Sequence, residues 1–342
     1  MTLSWTDPGC YSVSDGVHRV PLQMPQDGLK AINVYVLETH DGLALIDGGW
    51  RRDTTHSELA AALDRIARRP AEIHDIYVTH VHRDHYTFAV ELRRRYGARV
   101  HLGQAEAPGI SAINELGNSV PVSSLRELAR AGAADIAVIA HRDALQDEFA
   151  PEDWEAPDSW LTPGPLAIPG HRIHAVHTPG HTKGHMVFHD LDREISYTGD
   201  HILPSITPSI GFELGEWNLP LARYLASLTL MLDDSDRLMM PSHGVPGGSV
   251  HERSRQLLAH HDRRLAATAA VIKGSGPSTG LDVAQALTWT RREKPFETLD
   301  NFNRMVATCE TLAHLDVLVD RGVLTVRTHD GVDVFSWGAM RM

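Results

Sequence analysis

Histidine and aspartate recur in this chain at four places where a β-type run stops at a tight turn. These are Thr79-His80-Val-His82-Arg-Asp84-His85, Thr178-Pro-Gly-His181, Thr198-Gly-Asp200 and Pro241-Ser-His243-Gly244. Neutral imidazoles and carboxylates suit zinc, manganese or iron, and no cysteine joins them. One histidine at a strand end is usually a packing or hydrogen-bonding residue. Recurrence at four strand ends points instead to metal. His80, His82, Asp84, His85, His181, Asp200 and His243 are too many donors for one tetrahedral ion. They suffice for two ions sharing a carboxylate, and the chemistry that follows is metal-assisted hydrolysis.

Such turns need a sheet whose strand ends converge on one rim. Residues 33–38 and 43–47 read as a hairpin about His40-Asp41-Gly42, stopped by Gly48 and Gly49. A helix is expected over 55–69, with Leu59, Leu63 and Ile66 on one face and Pro70 closing it. Residues 76–79 form a buried strand, 86–96 a helix and 99–102 another strand, so an α/β sheet is expected. The segment 104–165 is less regular, with helical patches at 123–132 and 134–147 before the Pro- and Trp-bearing run 151–169. It reads as an insertion serving as a lid. Strands resume at 172–176, 186–189 and 194–197, then a helix at 221–232 and a strand at 238–240. From His251 three helices are expected, at 251–272, 281–290 and 301–320, then a hairpin from Val323 to Trp337. Three helices and a hairpin resemble a winged-helix module.

The ordered set His80-x-His82-x-Asp84-His85, Thr178-Pro-Gly-His181, Gly199-Asp200 and Ser242-His243-Gly244 resembles the metallo-β-lactamase-fold hydrolases. Leu45-Ile-Asp47-Gly-Gly49 resembles the Asp-Gly strand end of that family, and the likeness spans roughly residues 15–250. It implies an α/β protein built as an αββα sandwich, with the metal site on one edge of the two sheets. The catalytic domain would be 1–250, with the insertion at about 104–165 inside it. Residues 251–342 would be a helical, winged-helix-like module. By the resemblance, His80, His82 and His181 hold one ion. Asp84, His85 and His243 hold the other, Asp200 bridges, and Asp47 orients a ligand. Two Zn2+ are the implied cofactors, with Fe or Mn serving equally by ligand type. A water held between the ions loses its proton near neutral pH and attacks a thioester, ester or lactone carbonyl. Asp84, the implied catalytic residue, orients that water and shuttles the proton.

Other residues carry less. His185 reads as structural or as support for a ligand. His74, His101, His171, His174, His177, His189 and His201 have no partner pattern. Lys183 beside His181 reads equally as an anion site or a solvated cation. Phe212, Trp217 and Tyr224 are candidate pocket walls, although aromatics near a helix are more often core.

Composition limits the function classes. Thirty-two Lys+Arg against 44 Asp+Glu leave a net charge of −12, with 22 histidines. Residues 1–250 carry 20 basic and 33 acidic groups, and residues 251–342 carry 12 and 11. A catalytic portion at −13 repels a phosphate backbone, and a module at +1 does not compensate. Nucleic acid is therefore disfavoured as a partner, a small-molecule acyl substrate is expected, and the module reads as a packing or homodimer element. No stretch has the apolar length of a membrane span, the first ten residues lack a basic-then-apolar leader pattern, and Cys10 and Cys309 stand alone. A cytoplasmic dinuclear zinc hydrolase is the expectation. The alternatives are a metal-dependent ribonuclease or phosphodiesterase, a mononuclear-iron sulfur dioxygenase, and a non-enzymatic metal-holding interaction protein.

Overall fold

The computed structural model describes residues 4–25, 28–146, 149–211, 217–290 and 292–338. Its first half is a seven-stranded sheet in the order β1 (Tyr11–Ser14), β2 (Val17–Gln23), β3 (Ala31–Glu38), β4 (Leu43–Ile46), β5 (Ile73–Val78), β6 (Arg99–Gly103) and β7 (Ser159–Leu161). The first four strands are antiparallel neighbours, and β4 to β7 run parallel. Helices α1 (Thr55–Asp64) and α2 (Arg83–Tyr96) make the parallel crossovers. The segment between β6 and β7 contains α3 (Ala107–Leu116), α4 (Val122–Arg130) and α5 (Ala134–Ala144).

A second, five-stranded sheet follows. It consists of β8 (Gly164–Pro165), β9 (Ile173–His177), β10 (Met186–Asp190), β11 (Ile195–Gly199) and, after α6 (Pro220–Leu230), β12 (Leu238–Pro241), in the order β12-β11-β10-β9-β8. Alternation along the strands shows how the layers stack. Tyr35, Leu37, Ala44 and Ile46 point into a core shared with Phe188, Tyr197 and Met240 of the second sheet. Their neighbours Val34, Val36 and Leu45 face Leu59, Phe88 and Leu92 of α1 and α2. Every residue of β4 is buried because both faces of its sheet are covered. Val187 and Met239 face the opposite way, toward α6 and the C-terminal helices. The order of layers is therefore αββα, as expected.

The chain ends with α7 (Val250–Ser275), β13 (Ser278–Thr279), α8 (Gly280–Ala286), the ribbon β14 (Thr288–Trp289) and β15 (Lys294–Pro295), α9 (Asn301–Asp320), β16 (Leu324–His329) and β17 (Val332–Trp337). Strands β13, β17 and β16 form a small sheet. Leu257, Leu312, Leu315 and Phe335 share one continuous core with Val187, Tyr224 and Met239, so side chains pack across residue 250 without a break.

Three local readings change. The helix expected over 55–69 ends at Asp64 because Ala67 takes a left-handed φ of 55° and Arg68 N–H returns to Leu63 O. Helix α8 stops at Ala286, and Thr288 and Trp289 pair with β15 instead. The segment 104–165 is not a free flap. Leu128, Ala131 and Ala133 join the core around α9, Arg130 bonds Asp316 at 2.6 Å, and Trp154 packs under the first sheet. Position 147 of the expected 134–147 helix lies outside the described residues. No helix among those described is long and apolar enough to cross a membrane.

Candidate metal centre

The topology puts the C-terminal ends of β4, β5, β9, β11 and β12 on one rim, since β9, β11 and β12 share a direction. The sheets are joined there by backbone. Met186 N–H donates to Thr79 O at 2.7 Å, and Asn33 N–H donates to Ser242 O at 2.7 Å. Beyond β5 the chain passes through His80 and His82 straight into α2, which brings Asp84 and His85 into the first helical turn. A carboxylate at a helix N-terminus sits favourably in the helix dipole.

All seven predicted residues meet there. His80 Nε2 and His181 Nε2 each lie 3.0 Å from His82 Nδ1. Beside them, His243 Nε2 is 3.1 Å from Asp84 Oδ2, and His85 Nε2 is 3.5 Å from the same oxygen. Asp200 stands between the groups, with Oδ2 3.6 Å from His181 Nε2 and Oδ1 3.4 Å from His243 Nε2 and 3.7 Å from His85 Nε2.

The outward nitrogens of His80, His85, His181 and His243 are occupied. Nδ1–H of His80 donates to Thr79 Oγ1 at 3.0 Å, that of His181 to Ser209 O at 2.9 Å, and that of His243 to Ala31 O at 2.8 Å. His85 Nδ1–H donates to Asp47 Oδ2 at 2.9 Å. These bonds set the tautomers of His80 and His181, leaving each Nε2 with an inward lone pair, and turn Nε2 of His85 and His243 inward. His82 Nδ1, 3.0 Å from both His80 and His181 Nε2, can share at most one proton with these two lone pairs. The buried Nε2 atoms of His85 and His243 and Oδ1 of Asp200 have no hydrogen-bond partner. Such convergent donors fit cations.

Electrostatics divides the centre in two. Burial, reinforced by neighbouring imidazoles, pushes His80 well below its ordinary value and His82 down to about 3. Burial likewise takes His181 to about 4. Burial works the same way on His85 and His243, but the carboxylates override it. Asp84, Asp47 and Asp200 lift His85 to about 10, and Asp200 and Asp84 lift His243 to about 9. Burial raises the Asp84 carboxyl, yet His85 and His243 hold it well below the usual range. The first set is therefore neutral and ready to ligate, and the second demands positive charge.

Asp47 occupies none of the ligand positions. At φ 63° it accepts from Thr79 N–H at 2.8 Å, Thr79 Oγ1 at 2.9 Å, His85 and Ser242 Oγ at 2.8 Å. His185 supports the rim, with Nδ1 2.9 Å from Thr178 Oγ1 and Nε2 accepting from Asp200 N–H at 3.2 Å. Tyr224 is core, its hydroxyl donating to His201 O and its backbone against Gly180. Trp217 lines a cavity of about 830 Å³ between α4 and α9, and Phe212 lies outside the described residues. His101, His171 and His189 have hydrogen-bond partners away from the rim, and His177 Nε2 lies 2.7 Å from Lys183 O in the turn that carries His181. Sequence reasoning missed Glu106, Thr79 and Ser242, whose roles depend on contacts across the sheets.

The profile of the family described as "Metallo-beta-lactamase superfamily" matches residues 27–245. The chain belongs to that superfamily. Its members bind divalent metals, typically zinc. Among relatives, hydroxyacylglutathione hydrolase GloC of Haemophilus influenzae is 22% identical over 59% of this chain and 79% of its own length. A lactamase-like protein, nscB, of Neosartorya fischeri is 29% identical over 31% of this chain and 30% of its own. An atrochrysone carboxyl ACP thioesterase of Aspergillus chevalieri is 31% identical over 31% and 30%. The chain thus spans about a third of the length of these fungal relatives. A metallo-beta-lactamase family protein of Thermus thermophilus superposes with a TM-score of 0.77 at 25% identity, covering 95% of this chain and 100% of that one.

Proposed function

We propose that the protein is a dinuclear metal hydrolase that cleaves an acyl thioester, with esters and lactones as chemically related substrates. The observation that carries this reading is the pair of donor sets, His80/His82/His181 and Asp84/His85/His243, meeting across Asp200 within 3.7 Å. A purely structural zinc site is coordinatively closed and needs one ion. Two adjoining sets with a shared carboxylate suit catalysis. The names of the GloC and ACP thioesterase relatives support a thioester over other carbonyls.

The chain's own residues divide the labour. His80, His82 and His181 stay neutral at physiological pH, so protons do not compete for their lone pairs. Asp200 aligns the two sets. Asp84 stays ionised, orients the attacking water and takes its proton. Divalent ions held there supply stabilisation of negative charge developing on the carbonyl oxygen and ease deprotonation of water. The layered sheets behind the rim keep the donors rigid.

The test is turnover of a panel of acyl thioesters, esters and lactones by the metal-loaded protein, with His82→Ala and Asp200→Ala. Loss of at least about a thousandfold in kcat/KM is expected in both, as when charge stabilisation is removed. Thioester turnover retained in both variants overturns the proposal, as does turnover of single-stranded RNA alone.

A further inference from the structure

Glu106 is a fully buried carboxyl that belongs to neither donor set. It follows β6 on the first sheet, and its Oε1 accepts from Thr182 Oγ1 at 2.5 Å. Thr182 is the residue after His181, on the second sheet's turn. The backbone N–H groups of Val81, between His80 and His82, and of Gly184 face the same carboxyl. These amide contacts are looser than the Thr182 bond, for Oε2 reaches no partner within ordinary hydrogen-bond geometry. Contact between the turns is otherwise at backbone distance. A Cβ on Gly184 would lie 2.5 Å from Glu106 Cγ and N, and a Cβ on Gly103 would lie 2.0 Å from Gly184 O.

The His80/His82/His181 set takes two ligands from the first sheet and one from the second. Its geometry therefore depends on how far apart the two turns are held. Asp47 joins the sheets on the other side of the rim, through His85 and Ser242. We propose that Glu106 is a positioning residue for the His80/His82/His181 set, holding the Val81 and Thr182 turns at ligating distance. A buried carboxyl in direct contact with a turn hydroxyl costs desolvation that a mere packing residue would avoid. Nothing in the packing requires it, since β6 and the turn already touch through glycines.

The inference rests on the metal reading above, yet its test needs no substrate, so it fails or stands apart from the thioester assignment. Stripped wild type, Glu106→Gln and Thr182→Val are titrated with Co2+, following heat and the visible absorption bands of the bound ion. Circular dichroism of the stripped proteins reports folding. Loss of a partner that orients ligands typically weakens metal binding about 10–100-fold. Such weakening is expected in Glu106→Gln, confined to one binding step and with altered band positions. Thr182→Val, which removes only the hydroxyl, should shift the same step less. Unchanged affinity and spectrum in both variants overturns the proposal. Equal weakening of every step in a folded Thr182→Val does so too.

Discussion

Asp47 Oδ2 stands 2.9 Å from His85 Nδ1, and that carboxylate also receives Thr79 and Ser242. One group with left-handed backbone thus fixes the ring plane of a ligand and ties β4, β5 and β12 together. Asp47→Asn would present an amide N–H where donors already point, leaving at least one buried donor unmet. We expect turnover and metal affinity to fall about 10–100-fold with the fold retained. Isothermal titration and kcat/KM measurements check this, and wild-type values for both in Asp47→Asn would refute it.

Metal uptake should release protons from only one half of the centre. Without ions, the carboxylates keep His85 and His243 protonated at neutral pH, with pKa values of about 10 and 9. A ligating nitrogen must give up its proton, so uptake at pH 7.5 should release one from each. His80, His82 and His181 are already neutral and release none. Binding heats measured in buffers of different ionisation enthalpy report that number. Removing the ions should also lower the melting temperature. Free metal at a hundred times its Kd stabilises by about 2.7 kcal/mol, on the order of 5 °C for a chain of this size. No net proton release in the buffer series would contradict the assignment of charges.

The seven rim residues were legible because four β-type runs each lead into a turn that bears His or Asp, in the order of a known family motif. Asp47 was legible as a support for the same reason. Glu106 was not. It follows Gln104 and Ala105 with no spacing signal, and its partner Thr182 is 76 residues away. Only the stacking of two sheets brings them together. Helix α3 was hidden by its opening Ala107-Pro-Gly109, which reads as a turn although proline is tolerated in a first helical turn. The segment 104–165 looked like a lid because its helices are short and separated by turns. The apolar faces of α4 and α5 are completed by α9, far along the chain, and periodicity within one segment cannot report that.

Gly180 tests how closely the second sheet's turn must approach α6. Its φ is 156°, and a Cβ there would sit 2.4 Å from Tyr224 Cα, a backbone atom that cannot swing away. Gly117 also has positive φ, at 60°, but its Cβ would meet nothing within 4 Å. Gly117→Ala should therefore cost about 1 kcal/mol from backbone strain alone. Gly180→Ala should cost roughly 2 kcal/mol or more and weaken metal binding through the adjacent His181. Denaturant unfolding of the metal-free variants separates the two. Equal costs would show that the approach to Tyr224 relaxes freely.

The helices α7 and α9 carry an acid-sensitive pair that Tyr224 separates from the rim. His314 Nδ1–H donates to Glu310 O at 2.8 Å, so its Nε2 accepts from His261 Nδ1–H at 3.2 Å. One proton lies between two neutral rings, and a second would put like charges together. Burial lowers His261 to about 2 and His314 to about 4, each helped by neighbouring positive groups. Unfolded histidine titrates near 6.5, so between that value and the folded pKa the unfolded chain binds more protons. The stability due to neutral burial is then complete above pH 6.5 and declines as pH falls toward 4. The slope is about 1.4 kcal/mol per pH unit for each such proton. Unfolding free energies of metal-free protein at pH 4–7 should show this, with a shallower slope in His314→Gln by roughly one proton's worth. An unchanged slope in that variant would mean that His314 is protonated in the folded protein.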